Sequence, residues 1–365
     1  MIRFNPGEDL KRNSLSISEL KNLTLTQKPL LSLDSSGLGC ESGRFHVDPW
    51  RPVEQAVITH GHADHARSGS KAYFCAEGSG DILRQRLSGD FQLTEVPYRK
   101  KFKLGKTWVS FHPAGHVLGS AQVRVEGLQS VWVVSGDYKR NADPTCEGFE
   151  EVSCDVFISE ATFAMPVYHW KEGIEVVKDL QRWWSAEPNH PSILFCYAFG
   201  KAQRVLAELS KLTDRTVYLH GAIETLMPAY RNRNVSFVPN RTVSSVERGH
   251  AFAGDLILAP PSAHRSAWMK RFKNPQTAFA SGWMQIRGAR RRRGYERGFV
   301  LSDHADWSGL VRSILASQAK TVYLTHGQSE VLSRFLKEEH GLDVKPLKTP
   351  FGDEQIEEQF AESVS

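Results

Sequence analysis

Short apolar runs that end abruptly in small and polar residues recur along the chain. Val53–Thr59 runs into His60-Gly-His-Ala-Asp-His65, and Thr107–His112 into Pro113-Ala-Gly-His116. Val131–Ser135 ends in Gly136-Asp137, and Asp155–Ser159 ends at Glu160. Ile193–Tyr197, Val217–Leu219 and Leu256–Leu258 read as further buried strands. Phe299–Leu301 then leads to Asp303-His304, and Val322–Leu324 to Thr325-His326. Runs of about 4–8 residues enriched in valine, isoleucine and aromatics predict strands rather than helices. Helical spacing of apolar residues predicts helices over Lys201–Leu212, Trp307–Ala316 and Ser329–His340, the last closed by Gly341. Strands that dominate early and later alternate with helices predict an α/β class of sheets covered by helices.

The candidate chemistry sits at the strand ends. His60, His116, Asp137, Glu160, His304 and His326 each lie at or just past the C-terminal end of a predicted strand. Strand ends gathered in a sheet can place such residues around one cleft. The densest signal is His60, His62, Asp64 and His65, four potential ligands within six residues and spaced by Gly and Ala. Imidazole and carboxylate together suit zinc, manganese or iron. Four ligands so close crowd a single tetrahedral shell, whereas two adjacent cations about 3.5–4 Å apart relieve the conflict. His116, Asp137 and His326 can complete such a pair.

Composition narrows the class. The chain has 365 residues, 40% hydrophobic and 24% charged, a soluble-type balance with room for two domains. There is no apolar stretch near the ~18 residues of a membrane span, and Met1–Leu25 lacks a signal-peptide pattern, so no membrane association and a cytoplasmic location are expected. Five scattered cysteines without a C-x-x-C pair argue against a disulfide framework and a zinc ribbon. The net charge of +5 is unevenly spread: residues 171–299 carry +11 and the rest −6. Its peak is Arg287, Arg290, Arg291, Arg292, Arg293 and Arg297, interrupted by Gly288, Gly294 and Gly298. A loop of this charge reads either as a solvated face or as a phosphate-backbone groove.

In order, His60-x-His-x-Asp-His65, Gly115-His116 and Gly136-Asp137 resemble the motifs of the metallo-β-lactamase superfamily. Glu160 in Ser-Glu-Ala-Thr-Phe, His304 in Ser-Asp-His-Ala-Asp and His326 in Thr-His-Gly resemble those of its nucleic-acid-processing β-CASP branch. Val47-Asp-Pro-Trp-Arg51, Pro113 to Gln122, Ser135 to Lys139, Gly200-Lys-Ala-Gln-Arg204 and Ser302 to Trp307 are similar to the bacterial DNA-ligase-associated exonucleases of that branch. The resemblance implies an αββα sandwich (1–170 and 300–365) interrupted by a basic inserted β-CASP domain (171–299). It implies hydrolysis of phosphodiester bonds, as a DNA exonuclease in repair, by water activated between two divalent metals, Zn or Mn. His60, His62 and His116 would hold one metal, Asp64, His65 and His326 the other, with Asp137 bridging. Asp48 would hydrogen-bond the ligand turn and orient its imidazoles, and His304 held by Glu160 would be the general acid.

For the nucleic acid, single-stranded or end-bearing DNA, the expected contacts are Lys201, Gln203, Arg204, Arg287 and Arg290 to Arg293. Phe199, Trp283 and Trp307 are either base-stacking rings or core. DNA ligase and helicase partners are implied by the resemblance alone. A ribonuclease of the same branch is the alternative, since histidine at the position of His326 is more familiar among its RNA-processing members. A small-molecule hydrolase would need only the metal turn and leaves the basic segment, Glu160 and His304 without a use.

Overall fold

The computed structural model describes residues 28–247, 249–286, 294–327 and 329–347. It is a mixed α/β structure with three sheets. The first has six strands, in the order Ser32–Asp34, Gly37–Cys40, Phe45–Val47, Gln55–Ile58, Ala72–Ala76 and Gln92–Val96. The second has seven, running from Asp343–Pro346 through Thr321–Thr325, Val156–Glu160, Val131–Val134, Ala121–Glu126 and Thr107–Pro113 to Phe102–Leu104.

The alternation of side chains along each strand decides what packs where. Val57 from the first sheet meets Phe111, Val123 and Ile158 from the second in one shared core. Residues pointing the other way are covered by helices. Ile58 and Tyr73 lie under Leu83 of the helix Gly80–Arg86. Val133, Phe157 and Val322 lie under Leu310 and Ile314 of Trp307–Ala316 and under Leu332 and Leu336 of Glu330–His340.

The third sheet is all parallel, and its six strands lie between Val217 and Phe299 apart from Ser192–Phe195 near its centre. Leu194 faces a core shared with the helices Gly173–Ser185 and Lys201–Leu209, while Ile193 and Phe195 point into a separate core on the opposite face. Such two-sided burial is what a parallel sheet requires.

One predicted strand is displaced. The third sheet's last strand is Arg297–Phe299, not Phe299–Leu301. The Phe299 carbonyl accepts from both Ser281 N–H and Leu301 N–H, which turns the chain inward. His304 therefore lies beyond an irregular link rather than at a strand end. Among the described residues no helix is long and apolar enough to cross a membrane.

Candidate metal centre and cleft

His60 follows Gln55–Ile58, Asp137 follows Val131–Val134, Glu160 ends Val156–Glu160, and His326 follows Thr321–Thr325. Because the first two sheets face one another, these strand ends converge. Glycine permits the closest approach: Gly136 has φ +54°, and a Cβ there would lie 2.6 Å from Thr59 Cβ. Asp48 (φ 44°) and His326 (φ 58°) also take left-handed backbone, where Asp and His are among the better-tolerated side chains.

Asp137 lies at the middle of the cluster. Its Oδ2 is 3.5 Å from His60 Nε2, 3.5 Å from His65 Nε2 and 3.8 Å from His116 Nε2. Donor atoms of His60, His62, His116 and Asp137 lie within 4.8 Å of one another, as do those of His65, Asp137 and His326, and those of His60, Asp64 and His65. The structure thus brings all seven expected ligands together.

The outer partners of the rings assign their tautomers. His116 Nδ1–H donates to the Asp303 carbonyl at 2.7 Å, and His62 Nε2–H donates to the Phe199 carbonyl at 3.3 Å. Both rings are held neutral: burial and the Arg86 guanidinium push His62 down to about 4, and burial and the neighbouring His304 hold His116 well below its usual value. Their remaining nitrogens, His116 Nε2 and His62 Nδ1, therefore carry lone pairs, yet face each other at 3.1 Å. Two lone pairs repel at that distance, and a cation between them removes the conflict. His60 Nε2 and Asp64 Oδ1 are also buried without a hydrogen-bond partner, as ligand atoms aimed at an ion would be. The donor set fits divalent metals.

Asp48 contacts the turn that carries His60 and His65. It accepts from Thr59 N–H at 2.8 Å and the Thr59 hydroxyl at 2.6 Å, and pairs with His65 Nδ1 at 2.8 Å. With its proton on Asp48, the Thr59 hydroxyl accepts from His60 Nδ1 at 3.1 Å, which turns the His60 Nε2 lone pair inward. Thr59 was not singled out from the sequence.

Beside this centre, His304 Nδ1 lies 2.7 Å from Glu160 Oε2. Glu160 is fully buried and also accepts from Tyr138 N–H and the Thr162 hydroxyl, each at 2.6 Å. Burial opposes the charged imidazole, but the Glu160 and Asp137 carboxylates push it up to about 9. His304 opens onto a cleft that His62, His116, Asp137 and His326 also line, with Phe163, Tyr197, Phe199 and Trp283 on its walls.

Several expected substrate contacts are not available to a substrate. Gln203 is fully buried, its carbonyl accepting from Gly200 N–H at 2.8 Å and its amide donating to the Ala198 carbonyl at 2.9 Å. Arg204 is 2% exposed and donates to the Ser302 carbonyl at 2.7 Å. Lys201 borders the cleft, but its ammonium is held by Asp303 at 2.6 Å. Trp307 packs on Phe335 within the core under the second sheet, away from the cleft. Phe199 and Trp283 are both core-packed and cleft-lining. Arg287 and Arg290 to Arg293 lie outside the described residues. Arg86, which no pattern marked, reaches the cleft with its guanidinium 2.9 Å from the Gly61 carbonyl and over the Phe199 ring.

No family model matches the chain. It is 28% identical over 310 residues, 83% of its length, to a "Probable DNA ligase" of Opitutus terrae, of which it covers 30%. It is 22% identical over 233 residues to an "RNase J-like protein" of Methanocaldococcus jannaschii, covering 54% of each chain. It is 28% identical over 131 residues, 35% of its length, to "Cleavage and polyadenylation specificity factor subunit 3" of Dictyostelium discoideum, covering 17% of that protein. The chain thus spans only part of each of these relatives. A crystal structure of a protein of unknown function from Enterococcus faecalis superposes with a TM-score of 0.53 at 12% identity, over 96% of this chain and 91% of that one. That likeness concerns the fold alone.

Proposed function

We propose that the protein is a metal-dependent nuclease of the metallo-β-lactamase type and β-CASP branch, acting as a DNA exonuclease in repair. In this reading the first two sheets with their outer helices are the αββα sandwich, and 171–299 is the inserted basic domain over the cleft. The observation that carries it is one cleft holding both a His/Asp cluster whose facing lone pairs call for cations and a charged histidine fixed by a buried carboxylate.

His60, His62 and His116 would hold one divalent metal, Zn or Mn, and Asp64, His65 and His326 the other, with Asp137 between them. Bound there, the metals would supply charge stabilisation on the phosphate and a nucleophile from water at neutral pH. Asp48 and Thr59 fix the imidazoles that face them. His304 donates the proton on Nε2 to the leaving 3′-oxygen, while Glu160, paired with Nδ1, stabilises the charged ring that carries it. Arg86, the guanidinium at the cleft wall, holds a substrate phosphate oxygen.

The relative named as a DNA ligase favours a DNA substrate and work alongside a ligase. The RNase J-like relative and the histidine at 326 favour the second reading, a ribonuclease. One experiment separates them. A single-stranded DNA labelled separately at its 5′ and 3′ ends, and an RNA of the same sequence, are incubated with protein loaded with Mn or Zn, with Asp64→Ala as control. Mononucleotides released first from one end of the DNA are expected. Cleavage of the RNA with the DNA intact transfers the proposal to the second reading, and cleavage of neither by metal-loaded protein overturns both.

A further inference from the structure

The proposed chemistry leaves unused a group of five buried charges that reaches the cleft wall at Lys201 and Asp303. Lys139, Asp143, Lys201, Arg204 and Asp303 have side chains 0%, 4%, 3%, 2% and 5% exposed. Lys201 Nζ is 2.6 Å from Asp303 Oδ2, while Arg204 Nη1 and Lys139 Nζ lie 3.5 Å and 3.9 Å from Asp303 Oδ1. Lys139 also pairs with Asp143 at 2.5 Å. Three cations thus surround two carboxylates in the protein interior. Such a group adds little stability over apolar packing of the same volume, but its contacts are directional, so the question is what it orients.

The group joins elements that no ladder joins. Lys201 and Arg204 stand on one face of the first turn of Lys201–Leu209, which packs on the third sheet. Lys139 and Asp143 belong to the loop after Asp137, beside the second sheet. Asp303 lies in the irregular link between Arg297–Phe299 and Trp307–Ala316, where no strand pairing fixes the backbone. That link is held at Ser302, whose carbonyl accepts from Arg204 at 2.7 Å and whose hydroxyl accepts from His304 N–H at 3.1 Å, while Lys139 separately donates to the His116 carbonyl at 3.3 Å. The Asp303 carbonyl is the acceptor that orients His116, and the next residue is His304.

We propose that Asp303 is a positioning residue: clamped through its carboxylate by Lys201, Arg204 and Lys139, it fixes at once the metal-facing nitrogen of His116 and the place of His304. The side chain anchors the backbone, the backbone carbonyl sets the His116 ring, and the adjoining peptide sets His304. Because two of the three clamping cations belong to the unit built on the third sheet, a shift of that unit against the first two sheets is transmitted to both histidines. The kinetic part of this inference rests on the nuclease reading; the metal-binding part does not.

The test uses Asp303→Asn, Lys201→Met, their double variant and Lys201→Arg in the full chain. Zn affinity is read by competition with a chromogenic chelator without substrate, and kcat and KM on labelled single-stranded DNA. Asp303→Asn and Lys201→Met are each expected to weaken Zn binding about tenfold or more, the usual scale for a group that orients a ligand. Each should also lower kcat while KM stays within about twofold. The double variant should be no worse than the weaker single one, and Lys201→Arg should recover most of the loss. Wild-type Zn affinity in a folded Asp303→Asn or Lys201→Met protein overturns the inference, as does a change confined to KM or a fully additive double variant. Should Asp303→Asn not fold, Lys201→Met gives the same reading, because it leaves Asp303 its Lys139 and Arg204 partners. A wild type that binds Zn but cleaves no nucleic acid sinks the nuclease reading, and the Zn affinities then decide the inference alone.

Discussion

His304 and Asp137 stand close enough for two roles to compete at the residue scale. Donor atoms of Asp137, Glu160 and His304 lie within 4.8 Å, so His304 has the position of either a ligand or an acid. Its 2.7 Å contact with Glu160 stabilises the protonated ring, and on the proposed reading His304 is the acid. His304→Ala should therefore lower turnover by about 10²–10⁴-fold, the usual worth of a positioned acid, while elemental analysis finds the metals still bound. Loss of metal from the folded variant would make His304 a ligand instead. The pH profile adds a sign. An acid whose pKa is raised by a neighbouring carboxylate is competent below that pKa and fails as pH rises through it. Glu160→Gln removes the carboxylate paired with the ring, so the alkaline limb of the rate profile should move to lower pH; an unmoved limb would assign it to another group. Asp48→Asn is a third case. It weakens the partner of His65 and of Thr59, and should reduce metal affinity about 10–100-fold as measured by chelator competition.

Elements differ in how readily the sequence betrays them, and the difference has physical causes. Trp307–Ala316 forms over the predicted span because Asp306 caps it, accepting from Gly309 N–H at 2.8 Å, and its apolar period is regular. The strands before His60, Asp137, Glu160 and His326 are legible because each apolar run breaks at a polar residue. Lys201 and Arg204, expected from the sequence to contact nucleic acid, are buried ion-pair partners instead. Their main partner, Asp303, is 102 residues from Lys201, so nothing local distinguishes a buried ion pair from a solvated face. The helix that carries them depends on Gly200, whose φ is +91° and where a Cβ would lie 2.3 Å from Val117 Cγ1. Gly200→Ala should cost about 1–3 kcal/mol in urea unfolding, the scale of a residue forced into sparsely allowed backbone, and more if Val117 cannot give way. Gly148→Ala, with nothing within 4 Å of its Cβ, is the neutral comparison. Equal stability of the two variants would mean that the turn before Lys201 relaxes freely.

Charge and cleft meet only at the scale of the whole molecule. The segment 171–299 carries +11 while the remainder is −6, and on the proposed reading this excess attracts the nucleic acid. Trp283 lines the cleft in the turn Gly282–Gln285, and the arginine run begins at Arg287, four residues further on. On the proposed reading these arginines are the expected contacts of the strand's phosphates. Replacing Arg290 to Arg293 with serine should weaken single-stranded DNA binding, and should flatten the plot of log affinity against log salt by about 0.7 for each phosphate left without its arginine. Metal content and the rate on a dinucleotide, too short to reach past the cleft, should stay as in the wild type. The measurement is a fluorescence-anisotropy titration at several salt concentrations. An unchanged slope would mean that the run is a solvated face, and the search for the nucleic-acid path would move to Arg86 and the aromatic walls of the cleft.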